Sequence, residues 1–153
     1  MSHKITTLMR NTLKRLVESN KFDNVLNQVN ITDAFKGRLI AEMLVTKEAT
    51  NWSNHLHGGM TATIVDQLSS LALTTAFIDE NDIKDETFYK ARSVSLDLSI
   101  TYLTSVQLGQ TIVIEANTLK CGKNIAFLSV DIFNKDSKQL IAKGSHTKYL
   151  LNN

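Results

Sequence analysis

A helix that is apolar around most of its circumference constrains this chain more than any other feature. Residues 58–78 carry Met60, Ala62, Ile64, Val65, Leu68, Leu71, Ala72, Leu73, Ala76 and Phe77, on nearly every side of a helical turn. A surface helix keeps a polar stripe for water, whereas one apolar all round is surrounded by protein. The chain has 153 residues, within the usual span of one domain, about 100–200 residues. The expectation is therefore a single domain over residues 1–153 in which everything else wraps this helix.

The wrapping material reads as strand. Val94, Leu96, Leu98, Ile100 and Tyr102 alternate with Ser93, Ser95, Asp97, Ser99 and Thr101, the pattern of a half-buried strand. Two more β-rich runs, Thr111–Cys121 and 124–134, are joined by a short turn at Gly122-Lys123. A turn at 135–138 then leads into Leu140–Leu150. Earlier, runs at 25–31 and 38–45 flank a turn near 34–37. Four of these six strands come late and are linked by tight turns, which suit antiparallel neighbours; parallel crossovers need about a dozen residues. The predicted class is α+β: an antiparallel sheet curled around one central helix.

Residues 1–19 form the other predicted helix, the core of an N-terminal element over 1–20. Ile5, Leu8, Met9, Leu13, Leu16 and Val17 share one face, with Lys4, Arg10, Lys14 and Arg15 elsewhere. The expectation is an amphipathic helix packed on the domain. Its hydroxyls and its lack of any acidic residue before Glu18 also resemble a mitochondrial transit peptide. No apolar h-region of a secretory signal is present, so the expected location is intracellular, cytoplasmic or mitochondrial.

Seventeen Lys and Arg against fifteen Asp and Glu leave a net charge of +2. That balance excludes a polybasic nucleic-acid binder but suits a small anionic ligand. No apolar run reaches the roughly 18 residues of a membrane span. The single Cys121 excludes an intramolecular disulfide and a four-cysteine zinc site, and is expected to be a buried strand thiol. Proline is absent, so Pro-rich linkers are excluded. Residues 79–91, with Asp79, Glu80, Asp82, Asp85 and Glu86, read as a solvated loop.

Reactive residue types concentrate just before and within the apolar helix, in Asn51-Trp52-Ser53-Asn54-His55-Leu56-His57-Gly58-Gly59 and Asp66. Glycines at a helix start let a ligand approach the backbone, and the first-turn N–H groups lack intrahelical acceptors. Such a terminus favours the negative charge that develops when a carbonyl becomes tetrahedral; the same pair also serves as an ordinary tight turn. Asp66 lies between Val65 and Leu68, where an unpaired carboxylate is costly. It either marks a site or bonds Ser69, Ser70 or a neighbouring strand. His55 and His57 stand two apart with no His-x-x-x-His or His-x-Glu pattern, so no metal is expected. No Gly-x-Ser-x-Gly elbow is present.

Thr50-Asn51, Leu56-His57-Gly58-Gly59, Thr61-Ala62-Thr63 and Val65-Asp66 together resemble the active-site segment of the hotdog-fold acyl-CoA thioesterases. The resemblance continues in order through Ser95, Asp97, Ile100-Thr101-Tyr102, Leu108-Gly109, Lys120, Gly122-Lys123, Ala126-Phe127, Ser129-Val130-Asp131, Asn134-Lys135, Leu140-Ile141-Ala142, Gly144 and His146-Thr147-Lys148. It implies that Asn51 and the Gly58 amide polarise a thioester carbonyl. It assigns activation of the attacking water to Asp66 and Ser95, with His57 and Gly59 supporting the loop. Lys120, Lys123, Asn124, His146 and Lys148 fall where such enzymes meet CoA. The segment 79–93 is longer than the family's usual link and bears on acyl-chain preference.

The implied reaction is hydrolysis of medium- or long-chain fatty acyl-CoA to fatty acid and CoA, without a cofactor. Covalent attack by Asp66 to give an anhydride is the alternative route, and the residues do not separate the two. Two other functions share these features: a hotdog dehydratase using His57, and a non-catalytic acyl-CoA binding or scaffold protein. Gly58 and Asp66 are eight positions apart, about 12 Å along a helix at 1.5 Å per residue. Reacting groups must approach within about 3–3.5 Å. Either Asp66 is not the base for a thioester held at Gly58, or it comes from a second subunit. The resemblance implies the latter, in a homodimer doubled into a homotetramer.

Overall fold

The computed structural model describes residues 2–79 and 91–151. It contains α1 (Ser2–Glu18), β1 (Val29–Phe35), β2 (Arg38–Leu44), α2 (Gly58–Ala76), β3 (Ser93–Tyr102), β4 (Thr111–Cys121), β5 (Ile125–Asn134) and β6 (Leu140–Leu150). The strands form one six-stranded antiparallel sheet in the order β1-β2-β4-β5-β6-β3. Its inner face packs on α2, with Ile64, Val65, Leu68 and Leu71 joining Leu39, Met43, Ile112, Ile114, Val130 and Ile132 in one core. The α+β class and the sheet around a central helix are as the sequence predicts. Among the described residues no helix is long and apolar enough to cross a membrane.

Several expectations change in detail. The first strand begins at Val29, because Phe22–Leu26 form a 3-10 turn that drives Leu26 into the core. Asn24 Nδ2 donates to Val17 O at 3.2 Å, satisfying a carbonyl at the end of α1. The β1–β2 turn tightens to Lys36-Gly37, with Gly37 at φ +75°. Helix α2 stops at Ala76, two residues short of the predicted end. Cys121 is exposed rather than buried, since it ends β4 beside the hairpin turn. The predicted loop falls largely on residues 80–90, which lie outside the described residues.

The two sheet edges are handled differently. At β1, α1 buries Ile5, Leu8, Met9 and Leu13, as the amphipathic pattern predicts. Its Arg10 Nε donates to Ile31 O at 2.7 Å, and Thr6 Oγ1 accepts from Ala34 N at 3.0 Å. Those bonds occupy backbone groups that an open edge would offer to another strand. At the other end, β3 pairs among the described residues only with β6, not with β4 as tight-turn connectivity suggests. The 103–110 connection carries the chain back across, tied by Leu103 N to Ile141 O and Leu108 N to Asn54 O.

Strand β3 also breaks its own alternation. The register with β6 shifts between Ser95 and Asp97, so Leu96 is bulged. Before the bulge Ser93 and Ser95 face Leu150 and Lys148; after it Leu98, Ile100 and Tyr102 face His146, Gly144 and Ala142. All five β6 partners are buried, and directly opposed residues share a face. The bulge therefore turns Ser95 inward and pushes Val94 and Leu96 out, leaving Leu96 58% exposed. Strict alternation would have done the opposite.

Gly144 lets α2 lie close on β6. A Cβ there would overlap Val65, with Cγ2 at 2.8 Å. Valine is stiff at χ1 and strongly prefers a single rotamer in a helix, so it yields poorly. Gly144→Ala is expected to destabilise the fold by about 1–3 kcal/mol through overpacking. Urea unfolding checks this, and an unchanged midpoint would refute it.

Candidate active site

The loop before α2 is fixed by one side chain. Asn51 Oδ1 accepts from Ser53 N at 3.0 Å and from His55 N at 3.1 Å. Its backbone N–H donates to His55 O at 2.7 Å. Two converging N–H donors require the oxygen of the amide on that side, which fixes Nδ2 as the outward end. Asn51 is thus held as a donor. Next to it Trp52 is 97% exposed.

His57 caps α2. Its Nδ1 accepts from Gly59 N at 2.9 Å, and its carbonyl from Thr61 N at 3.0 Å. Gly59 lies tight against that ring: a Cβ there would stand 3.0 Å from Nδ1, and the imidazole would have to give by a few tenths of an ångström. The Gly58 carbonyl accepts from Tyr102 Oη at 2.9 Å. Gly58 N–H has no acceptor among the described residues and sits at the positive end of a 19-residue helix.

A second group gathers further along α2. Asp66 is not sealed in the core: its side chain is 37% exposed and lines a cleft of about 470 Å³ with Gln67, Ser70, Leu71, Ser95 and Lys148. Ser69 and Ser70 do bond Asp66, but at its backbone carbonyl, at 3.0 and 2.8 Å. The carboxylate is left to the cleft. Helix α2 is accordingly not covered all round, because Gly59, Ala62, Thr63, Asp66, Gln67 and Ser70 leave one stripe open in the single chain.

His146 stands behind that carboxylate, 1% exposed. Its Nδ1 lies 2.8 Å from Ser69 Oγ, its Nε2 2.8 Å from Ser95 Oγ and 3.8 Å from Asp66 Oδ1. Burial of the ring, then Lys148 beside it, push its pKa down to about 4 against the opposing pull of Asp66 and Asp97. The ring is neutral at physiological pH. Lys148 Nζ donates to Ser70 Oγ at 2.9 Å, and burial holds its pKa below the usual lysine range, with Asp66 countering.

The residues expected at CoA do not form one group. Lys120, Lys123 and Asn124 are exposed around the β4–β5 hairpin. Lys120 pairs with the exposed Phe127, whereas Lys148 pairs with the buried Ala126. The two lysines therefore lie on opposite faces of the sheet. His146, with both nitrogens engaged in the interior, offers neither to a phosphate. The structure brings His146 and Lys148 to Asp66 and Ser95 instead. Ser69 and Ser70 join that group unforeseen as hydrogen-bond partners of His146 and Lys148; their spacing of three and four from Asp66 was the only sequence signal. Among the described residues no three His, Cys, Asp or Glu side chains gather as a metal site.

A six-stranded sheet around one helix, with a glycine pair at the helix start, an asparagine held in the loop before it and a carboxylate in a cleft along it, defines a class that comparison identifies. The chain belongs to the thioesterase superfamily, whose profile matches residues 53–141. It is 41% identical over 148 residues to acyl-coenzyme A thioesterase 13 of Homo sapiens, covering 97% of this chain and 98% of that protein. The Mus musculus protein of the same name is also 41% identical over 148 residues, with the same coverage. Among solved structures, mouse thioesterase superfamily member 2 aligns with a TM-score of 0.81 at 40% identity, covering 95% of this chain and 97% of that one. The zebrafish protein aligns with the same TM-score at 37% identity, covering 93% and 95%.

Proposed function

We propose that this chain hydrolyses acyl-CoA thioesters, with medium- and long-chain fatty acyl groups as substrates and no cofactor. The observation that carries the reading is the pairing of two half-sites. One is a donor pair, Asn51 Nδ2 and Gly58 N–H; the other is a carboxylate, Asp66, beside Ser95 on the wall of a cleft. Relatives named acyl-coenzyme A thioesterase support the substrate class.

The donors stabilise the oxygen of the thioester carbonyl as it gains charge, which is worth about 2.7–4 kcal/mol per donor in comparable sites. Asp66 takes a proton from the attacking water, typically worth about 10²–10⁴-fold. The tetrahedral intermediate then collapses with cleavage of the C–S bond, and the departing CoA sulfur takes up the proton that Asp66 holds, restoring the carboxylate. His57 and Gly59 hold the helix start that presents Gly58. Lys120, Lys123 and Asn124 face solvent at the hairpin, where a CoA phosphate can reach them. Lys120→Ala is expected to raise KM with little change in kcat, as for uniform binding.

Gly58 and Asp66 lie on one helix, their backbones about 12 Å apart along its axis, so a single chain does not close the site on its own residues. Two features favour completion by a second copy: the stripe of α2 that carries Asp66 and the edge of β3 that carries Ser95, both uncovered among the described residues. The proposed unit is a two-fold homodimer with two shared sites, doubled into a homotetramer.

Thiol release from acyl-CoA of graded chain length, with protein treated with EDTA, tests the activity. Turnover on medium and long chains without added metal is expected. Failure on every chain length, or restoration only by a metal ion, would overturn the reading.

A further inference from the structure

We propose that Ser69 fixes His146 in the tautomer that makes Ser95 a hydrogen-bond acceptor, so that both hydrogens of the attacking water are held and its lone pair faces the thioester. The inference rests on the hydrolytic reading above and assigns Ser69 and His146 as positioning residues.

Proton counting along the buried chain gives the direction. Ser69 has one hydroxyl hydrogen, with the Asp66 backbone carbonyl at 3.0 Å and His146 Nδ1 at 2.8 Å both within its reach. Given to the carbonyl, the i−3 bond that helical serines make, it leaves Ser69 Oγ to accept, and the 2.8 Å bond is then Nδ1–H to Ser69 Oγ. A neutral imidazole carries one N–H, which leaves Nε2 as a lone pair. Ser95 Oγ lies 2.8 Å from that Nε2 and must donate to it, because a buried ring nitrogen without a partner is costly. The only hydrogen of Ser95 is thereby committed inward. Its lone pairs are what it presents to the cleft it lines with Asp66.

A water between Ser95 and Asp66 thus meets two acceptors, a hydroxyl oxygen and a carboxylate. Both of its hydrogens are engaged, and only lone pairs remain for the carbonyl carbon. As the new C–O bond forms, the carboxylate takes one water proton. The proton on His146 Nδ1 and the one on Ser95 stay in place. In the other tautomer Nε2–H would point at Ser95 and at Asp66 Oδ1, 3.8 Å away. Ser95 would then be free to donate to the water, which would engage one of the water's two lone pairs and leave one of its hydrogens unheld. The charged groups around the ring are Asp66 on α2, Asp97 on β3 and Lys148 on β6, and its low pKa keeps it neutral throughout. Nothing in the sequence marks the relay, since Ser69 and His146 are 77 positions apart.

Two measurements test it. In protein labelled with 15N-histidine, long-range ring spectra should show His146 as the Nδ1–H tautomer; an Nε2–H pattern would overturn the proposal whatever the enzyme turns over. In kinetics, Ser69→Ala should lower kcat on the order of 10–100-fold, the scale seen for partners that orient a working side chain. KM should stay constant, and Ser69→Thr, which keeps the hydroxyl, should recover most of the loss. Ser95→Ala should mask the effect, so that the double variant is no slower than Ser95→Ala alone. Multiplying losses would mean that Ser69 does not act through Ser95. If Ser69→Ala fails to fold, the ring spectrum of the unsubstituted protein decides. If that protein hydrolyses no acyl-CoA, the hydrolytic reading fails while the tautomer is still read directly.

Discussion

Asn51→Asp is expected to leave the loop before α2 intact and to lower kcat by about 10²–10³-fold. The substitution exchanges one atom group. Asn51 Oδ1 holds the loop by accepting from Ser53 N and His55 N, and an aspartate oxygen accepts both bonds equally well. The other end changes from an N–H donor to a charged acceptor, facing the oxygen that becomes negative. Structure is retained and the electrostatics invert. Asn51→Ala, by contrast, removes both functions and strands two backbone donors, so it cannot separate them. Comparing kcat with thermal unfolding for the two variants checks this: Asp should melt like the parent and be slow, whereas Ala should lose on both. A fully active Asn51→Asp enzyme would remove Asn51 from carbonyl polarisation.

The fold was legible where patterns are local. Apolar periodicity over α1 and α2, and the hairpin turns at Gly37 and Gly122-Lys123, report short-range physics that the sequence carries directly. The face of β3 was legible only in part. Alternation correctly marked a strand and put Leu98 and Ile100 inward, but which side faces α2 is decided by pairing with β6, and the bulge at Leu96 inverts the residues before it. Only the bulge reconciles an inward Ser95 with a run of alternating Val94, Leu96 and Leu98. The same limit divides the site. Asn51, His57, Gly58 and Asp66 lie within sixteen consecutive residues, 51–66, and could be read as a cluster. His146 and Lys148 reach Ser69, Ser70 and Ser95 only through the sheet, across 51 to 78 positions. Resemblance alone placed them at CoA; hydrogen bonding sets His146 behind the carboxylate, and Lys148 lines the same cleft as Asp66.

Mixing two dead variants should restore activity. Asp66→Asn removes the proton acceptor and is expected to cost about 10²–10⁴-fold in kcat; Asn51→Asp removes the opposing donor. In a two-fold dimer whose sites each take Asn51 and Gly58 from one chain and Asp66 from the other, a heterodimer has one doubly damaged site and one intact site. Statistical exchange makes half the dimers hetero, so about a quarter of the parental activity should return. The physical ground is distance: the helix that presents Gly58 carries its own Asp66 about 12 Å away, beyond what an aspartate side chain spans. The open stripe of Gly59, Ala62, Thr63, Asp66, Gln67 and Ser70 supplies a surface low enough for a second helix to approach. Brief exposure to urea followed by refolding together exchanges the subunits, and differently tagged chains verify that heterodimers formed. Activity that appears only after exchange supports a shared site. If verified heterodimers stay as slow as the parents, each chain must build its site alone, and Asp66 is then not the base for a thioester held at Gly58.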